Sequence, residues 1–257
     1  MAGVALEPRL RELRSAGRKI LVPYVTGHVP GWTDAIRAAV ANGADAVEIG
    51  IPFSDPVMDG PVIQRASTIA LQHGVTLNAI LDGVRHIDVD VPLVVMCYYN
   101  TVFRAGHARF AHQVRDAGVG AVIVPDLPLE ESGEWCAAAD AAGLATVMLA
   151  APTAPDERLP RIVARARGFV YAVGLLGVTG ERETLAASAL TIARRVKAVT
   201  DVPVLVGVGV SDAMQAKEAC TVADGVIQGA AIMRRLLDEG VDSVGAFVAE
   251  VRNAIDE

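Results

Sequence analysis

Eight short β-branched runs, the Ala-rich amphipathic segments between them and a length of 257 residues predict a (β/α)8 TIM barrel. Strands alternating with helices imply a parallel sheet, and eight such units in about 250 residues match this barrel in count and size. A doubly wound open sheet is the competing arrangement. It calls for a Gly-rich fingerprint after the first strand, and "YVTGHVPGW" supplies none. No Pro/Ser-rich linker interrupts the pattern, so residues 1–257 are expected to form one barrel domain.

The elements follow in order. "EPRLRELRSAG" predicts an extra helix ahead of the first strand. The strand runs are "KILVPYV", "DAVEIGI", "PLVVMCY", "GAVIVPD", "LATVMLA", "GFVYAVG", "PVLVGVG" and "DGVIQGA". Helix-like segments lie between them, among them "WTDAIRAAVANG", "HARFAHQVRDAG", "SGEWCAAADAAG", "LPRIVARARG" and "DAMQAKEACTVA". Helix ends are marked by Gly43, Gly118 and Gly143, each just past a last turn.

Composition narrows the function. Lys plus Arg is 23 and Asp plus Glu is 30, a net charge of −7 with no basic block, which argues against a nucleic-acid partner. An anionic substrate must therefore be held by local dipoles. Cys97, Cys136 and Cys220 show no disulfide or metal spacing and are expected to be buried thiols. Neither a signal peptide nor a bilayer-length apolar segment is evident, so a cytoplasmic setting off the membrane is expected. The five histidines, His28, His73, His86, His107 and His112, share no metal-like spacing and are expected at the surface, with His28 nearest the functional rim.

In "VEIGIPFSDPVMDG" an apolar strand carries Glu48, and Asp59 follows in a loop. Side chains alternate along a strand, so Val47, Ile49 and Ile51 would face the helices and Glu48 the barrel interior. A buried, ion-paired glutamate is the bland reading, yet no strand run offers a basic partner. Catalysis is the sharper reading, with the carboxyl pKa raised by desolvation. Asp59 is either a turn residue or the second acid on the same rim. A desolvated and a more solvated carboxylate together suit acid/base division of labour. "GLLGVTGERETL", "GVGVSD" and "GAAIMRRLL" follow the last three strands, where barrels often hold a phosphate, and Gly207 and Gly209 permit close backbone approach. Tyr98 and Tyr99 would line the pocket or pack under loops; Phe53 and Ile63 are core candidates.

"VEIGIPFSDPVMDGPVIQRA", "FRAGHARFAHQVRDAGVGAVIVPDLPLEE", "APTAPDERL" and "GVTGERETL" together resemble the tryptophan synthase alpha chain family over nearly the whole sequence. The resemblance implies retro-aldol cleavage of indole-3-glycerol phosphate to indole and glyceraldehyde 3-phosphate. It implies a beta-chain partner holding pyridoxal phosphate in an α2β2 assembly, with no cofactor in this chain. By position it assigns catalysis to Glu48 and Asp59, and the substrate site to Tyr171, Thr179, Gly180, Gly209, Gly229 and Ala230. Pro52, Asp55 and Asn100 match positions near the beta-chain contact. Three positions depart from the family pattern: His28-Val29 stands where Gly-Asp is frequent, Leu175-Leu176 where an arginine is common, and Ala230 where a serine binds phosphate. A stand-alone lyase and a mainly regulatory phosphate-binding subunit are the alternative functions. The paired acids favour an enzyme, and the lack of a strand lysine on the catalytic face argues against a Schiff-base aldolase.

Overall fold

The computed structural model describes residues 4–174, 187–207 and 209–257. Eight parallel strands close into a barrel in sequence order. They are β1 (Ile20–Thr26), β2 (Val47–Gly50), β3 (Leu93–Met96), β4 (Ala121–Ile123), β5 (Ala145–Ala150), β6 (Val170–Val173), β7 (Val204–Gly207) and β8 (Gly225–Gln228). Twelve helices are present among the described residues. α1 (Leu6–Ser15) precedes β1, and α2 (Trp32–Ala41) links β1 to β2. α3 (Pro61–Gln72) and α4 (Leu77–Arg85) precede β3; α5 (Tyr99–Ala105) and α6 (His107–Asp116) precede β4. α7 (Gly133–Ala141), α8 (Leu159–Arg165), α9 (Ala187–Lys197) and α10 (Ala213–Cys220) each precede the next strand. α11 (Ala230–Asp238) and α12 (Val241–Asp256) close the chain.

The alternation along each strand builds two cores. Ile20, Val22, Ala46, Val94, Ile123, Val147, Phe169, Leu205 and Ile227 fill the barrel interior. Val47, Ile49 and Ile51 join the outer layer against the helices, as their spacing requires. The base of the barrel is stoppered by α1, whose Leu6, Leu10 and Leu13 pack into the inner core. Each such leucine contributes about 1.5–3 kcal/mol by leaving water.

Helix boundaries have local causes. Gly43, Gly118 and Gly143 adopt φ of 102°, 94° and 72°, the left-handed geometry that ends a helix cheaply only at glycine. Asp212 caps α10 by accepting the Gln215 N–H at 2.8 Å, and Thr76 caps α4 through the Ala79 N–H at 3.1 Å. Pro61 starts α3, where its missing N–H costs no helical bond.

At the base of the barrel, buried Asp45 accepts from the Leu21 N–H, from Arg18 at 2.7 Å and from Arg252 at 2.9 Å. Asp224 accepts from the Val204 N–H and from Lys197. These charged groups stitch strand starts together on the face opposite Glu48. Cys97, Cys136 and Cys220 are buried and unpaired. No helix among the described residues is long and apolar enough to cross a membrane.

Candidate active site

Glu48 enters the barrel interior from β2, between Tyr24 on β1 and Val94 on β3 in the strand register. It is only 3% exposed, and its Oε2 has no hydrogen-bond partner within the described residues. Among the described residues no cation is paired with it. Burial, reinforced by the nearby Asp59 charge, raises its pKa from 4.5 to about 8. The carboxyl is therefore protonated across much of the neutral range, as a proton donor requires.

Asp59 lies on the loop between β2 and α3 and lines the same pocket as Glu48. The expectation of a more solvated partner is corrected here: Asp59 is also only 3% exposed. Its pKa is raised by burial, an effect opposed by a hydrogen bond from Tyr98. Tyr98 is the residue that organises this loop. Its Oη accepts the Met58 N–H at 3.2 Å, and its ring stacks on Phe53 with centroids 5.3 Å apart. Gln64 Nε2 donates to the Asp59 carbonyl at 2.7 Å. Asp59 is thus already drawn into the pocket, rather than waiting outside it.

The pocket that holds both carboxyls has a volume of about 50 Å³, with Met96, Ile123, Leu149 and Tyr171 among its walls. Ligand pockets for whole small molecules start near ~300 Å³, so a substrate must displace loop or side chains on entry. The apolar walls suit a flat aromatic group, and the two carboxyls are the polar groups that would orient it.

Two tyrosines occupy their places because glycine faces them. A Cβ on Gly207 would stand 2.2 Å from the Tyr171 Oη, and one on Gly50 would stand 1.9 Å from the Tyr24 Oη. Gly207, read from sequence as room for a phosphate, instead makes room for Tyr171. Burial and the Glu48 charge push the Tyr171 phenol well above its ordinary pKa, and burial with the Asp59 charge does the same to Tyr24. Both remain neutral donors.

Across the rim, Gly229 immediately precedes α11 and Ala230 is its first residue, with no side chain capping the helix. The first-turn N–H groups there form an anion-attracting end. Gly209 adopts a left-handed φ of 91°. Thr179, Gly180 and the Leu175-Leu176 pair lie outside the described residues.

Of the expected partner contacts, Asp55 and Asn100 are exposed, whereas Pro52 is buried. Val57, on the same loop as Asp55, is 65% exposed, and Phe103, one helical turn beyond Asn100, is 64% exposed. Sequence reading passed over both, because a single exposed apolar residue carries no periodic signal. His107 also departs from its expected surface role: its Nε2 meets the Tyr99 Oη at 3.0 Å, and the rings stack. His28 is the one non-glycine among the described residues with positive φ, 70°, in the turn after β1. No cluster of His, Cys, Asp and Glu that would hold a metal occurs among the described residues.

Residues 10–254 match the family model described as tryptophan synthase alpha chain. The chain belongs to that family. A tryptophan synthase alpha chain from Streptomyces coelicolor is 46% identical over 260 residues, covering 97% of this chain and 96% of the relative. Another from a Picosynechococcus species is 40% identical over 98% of this chain and 99% of its own. Among solved structures, Mycobacterium tuberculosis tryptophan synthase superposes with a TM-score of 0.91 at 38% identity, covering 98% of each chain. The alpha subunit from Legionella pneumophila superposes at 0.88 with 32% identity, over 98% of each chain. The family's barrel is therefore the fold seen here.

Proposed function

We propose that Glu48 and Asp59 carry out the reaction of the tryptophan synthase alpha chain. That reaction is the retro-aldol cleavage of indole-3-glycerol phosphate to indole and glyceraldehyde 3-phosphate. The observation that carries the assignment is the buried Glu48 carboxyl, its Oε2 without a partner among the described residues, beside Asp59 in one apolar pocket. A pure phosphate-binding subunit needs neither acid.

Cleavage requires the indole ring to accept a proton at C3. The protonated Glu48 carboxyl supplies it, aided by a pKa near 8. Glu48, now a carboxylate, takes the proton from the hydroxyl on the carbon attached to C3. The carbon–carbon bond breaks as that hydroxyl becomes the aldehyde, and its electron pair neutralises the positive charge on the ring nitrogen. Asp59 accepts the ring N–H as that charge develops. The hydrogen bond from Tyr98 favours the ionised form of Asp59 that this task needs. Tyr171, held over Gly207, forms part of the aromatic slot.

The phosphate is assigned to the N-terminus of α11 at Gly229 and Ala230, with the backbone at Gly209; Thr179 and Gly180 are proposed to complete that side. Asp55, Asn100, Val57 and Phe103 would meet the beta chain, which supplies the pyridoxal phosphate chemistry and receives the indole in an α2β2 assembly. This chain's own part is proton transfer by side chains. The deciding experiment is indole release from indole-3-glycerol phosphate by the purified chain, with and without a beta chain. Cleavage accelerated about tenfold or more by the beta chain is expected, a coupling of about 1.4 kcal/mol. Full-rate release indifferent to any beta chain would establish a stand-alone lyase, and no cleavage in either arm would overturn the assignment.

A further inference from the structure

The outer face of β5 borders a cavity that the lyase reaction does not use. It has a volume of about 210 Å³ and is enclosed by β5, α7, α8 and the loop after β4. Its walls are largely apolar, with Trp135, Met148 and Ile162 among them. Trp135 is buried, so one wall is a flat aromatic surface.

Thr146 and Arg158 line the same cavity. Thr146 is 1% exposed, and its neighbour Val147 faces the inner core, so Thr146 faces outward toward the helices. Its Oγ1 has no hydrogen-bond partner among the described residues, and neither has the buried Nε of Arg158. Buried polar groups are nearly always paired, so two unpaired ones on a single cavity call for an occupant with an acceptor atom.

Charge decides what kind of acceptor. The Arg158 guanidinium is already engaged by Glu130 at 2.7 Å, and Arg161 lies 3.5 Å from the same carboxylate. Asp126 lines the cavity and accepts the Tyr99 N–H. On the lining itself Arg158 is balanced by Asp126, and outside it Arg158 and Arg161 are held by Glu130, so no free positive charge is left to receive an anion. A neutral carbonyl oxygen fits; a carboxylate would be buried without a free counter-charge.

We propose that this cavity is a second small-molecule site, taking an uncharged bicyclic aromatic molecule that presents one carbonyl oxygen to Thr146 and Arg158. Pro125 and Leu149 line both this cavity and the Glu48 pocket. An occupant therefore bears on a wall of the catalytic pocket without entering it.

Three probes of one shape test the assignment: 1-indanone, indane and indane-1-carboxylate. The chain has two tryptophans, Trp32 and Trp135. Trp32 packs elsewhere, against Gly83, so Trp32→Phe leaves Trp135 as the sole fluorescent reporter. Ligand-observed NMR on the unmodified chain gives the same affinities without that substitution. The expected result is 1-indanone bound about fivefold or more tighter than indane, one neutral hydrogen bond from Thr146 setting the lower bound, and tighter than the carboxylate. Thr146→Val keeps the shape and should lower the ketone-to-hydrocarbon ratio about fivefold, while Thr146→Ser retains the preference. Absence of binding, or equal binding of ketone and hydrocarbon, overturns the proposal. A preference untouched by Thr146→Val shows that the carbonyl does not meet the Thr146 hydroxyl and overturns it equally.

Discussion

Replacing Glu48 by glutamine should affect activity and stability in opposite directions. A glutamine has the same size but neither gives nor takes the proton. Each acid–base role contributes about 10²–10⁴ in rate, and Glu48 serves twice, so turnover should fall by roughly 10⁴ or more. Stability follows from the raised pKa. The folded chain holds the Glu48 proton more tightly than the unfolded chain, so this contribution is complete below pH 4.5 and is lost as pH rises through about 8. The gap between those values, at 1.36 kcal/mol per pH unit, makes the ionised carboxylate destabilising by on the order of 5 kcal/mol in alkaline solution. Glutamine removes that penalty. Urea unfolding at pH 5 should show similar midpoints for the two proteins; at pH 9 the variant should be more stable by several kcal/mol. Indole release measured on the same preparations gives the activity half. A variant that kept a tenth of wild-type turnover, or that gained no stability between pH 5 and pH 9, would refute the assignment of Glu48 as a buried, protonated acid.

Three further outcomes are expected. Asp59→Asn keeps the size and loses the charge that stabilises the protonated ring, so turnover should drop by about 10²-fold or more with near-normal substrate affinity, read by steady-state kinetics. Tyr98→Phe deletes the acceptor of the Met58 N–H and the donor to Asp59; it should cost about 1 kcal/mol in urea unfolding and raise the Asp59 pKa further, seen as a shifted acid limb of the kcat/KM profile. Ala230→Ser adds a hydroxyl beside the first turn of α11, and calorimetric titration should show glycerol phosphate bound about tenfold tighter or better, since a hydrogen bond to a charged group contributes about 1.5–3 kcal/mol.

The sequence by itself determined the layered barrel and the direction of Glu48, because both depend on short-range periodicity. A residue two positions from Ala46 must share its face, so Glu48 had to enter the interior once Val47 and Ile49 faced the helices. The helix ends at Gly43, Gly118 and Gly143 were equally legible, since a left-handed φ demands glycine locally. The resemblance carried Asp59, Tyr171 and the glycines of the phosphate side to their positions, but not to their surroundings. Tertiary structure alone decided those. Asp59 is buried because Tyr98, at the start of α5, and Phe53, from another part of the loop, draw it inward. Gly207 serves Tyr171 from the neighbouring strand, a contact between residues 36 positions apart that no local pattern records. Pro52 turned out buried, and Val57 and Phe103 exposed, because a loop's orientation depends on what packs beneath it. Desolvation has the same character: the Glu48 pKa near 8 is set by burial and by the neighbouring Asp59 charge, and a neighbourhood exists only once the chain has folded.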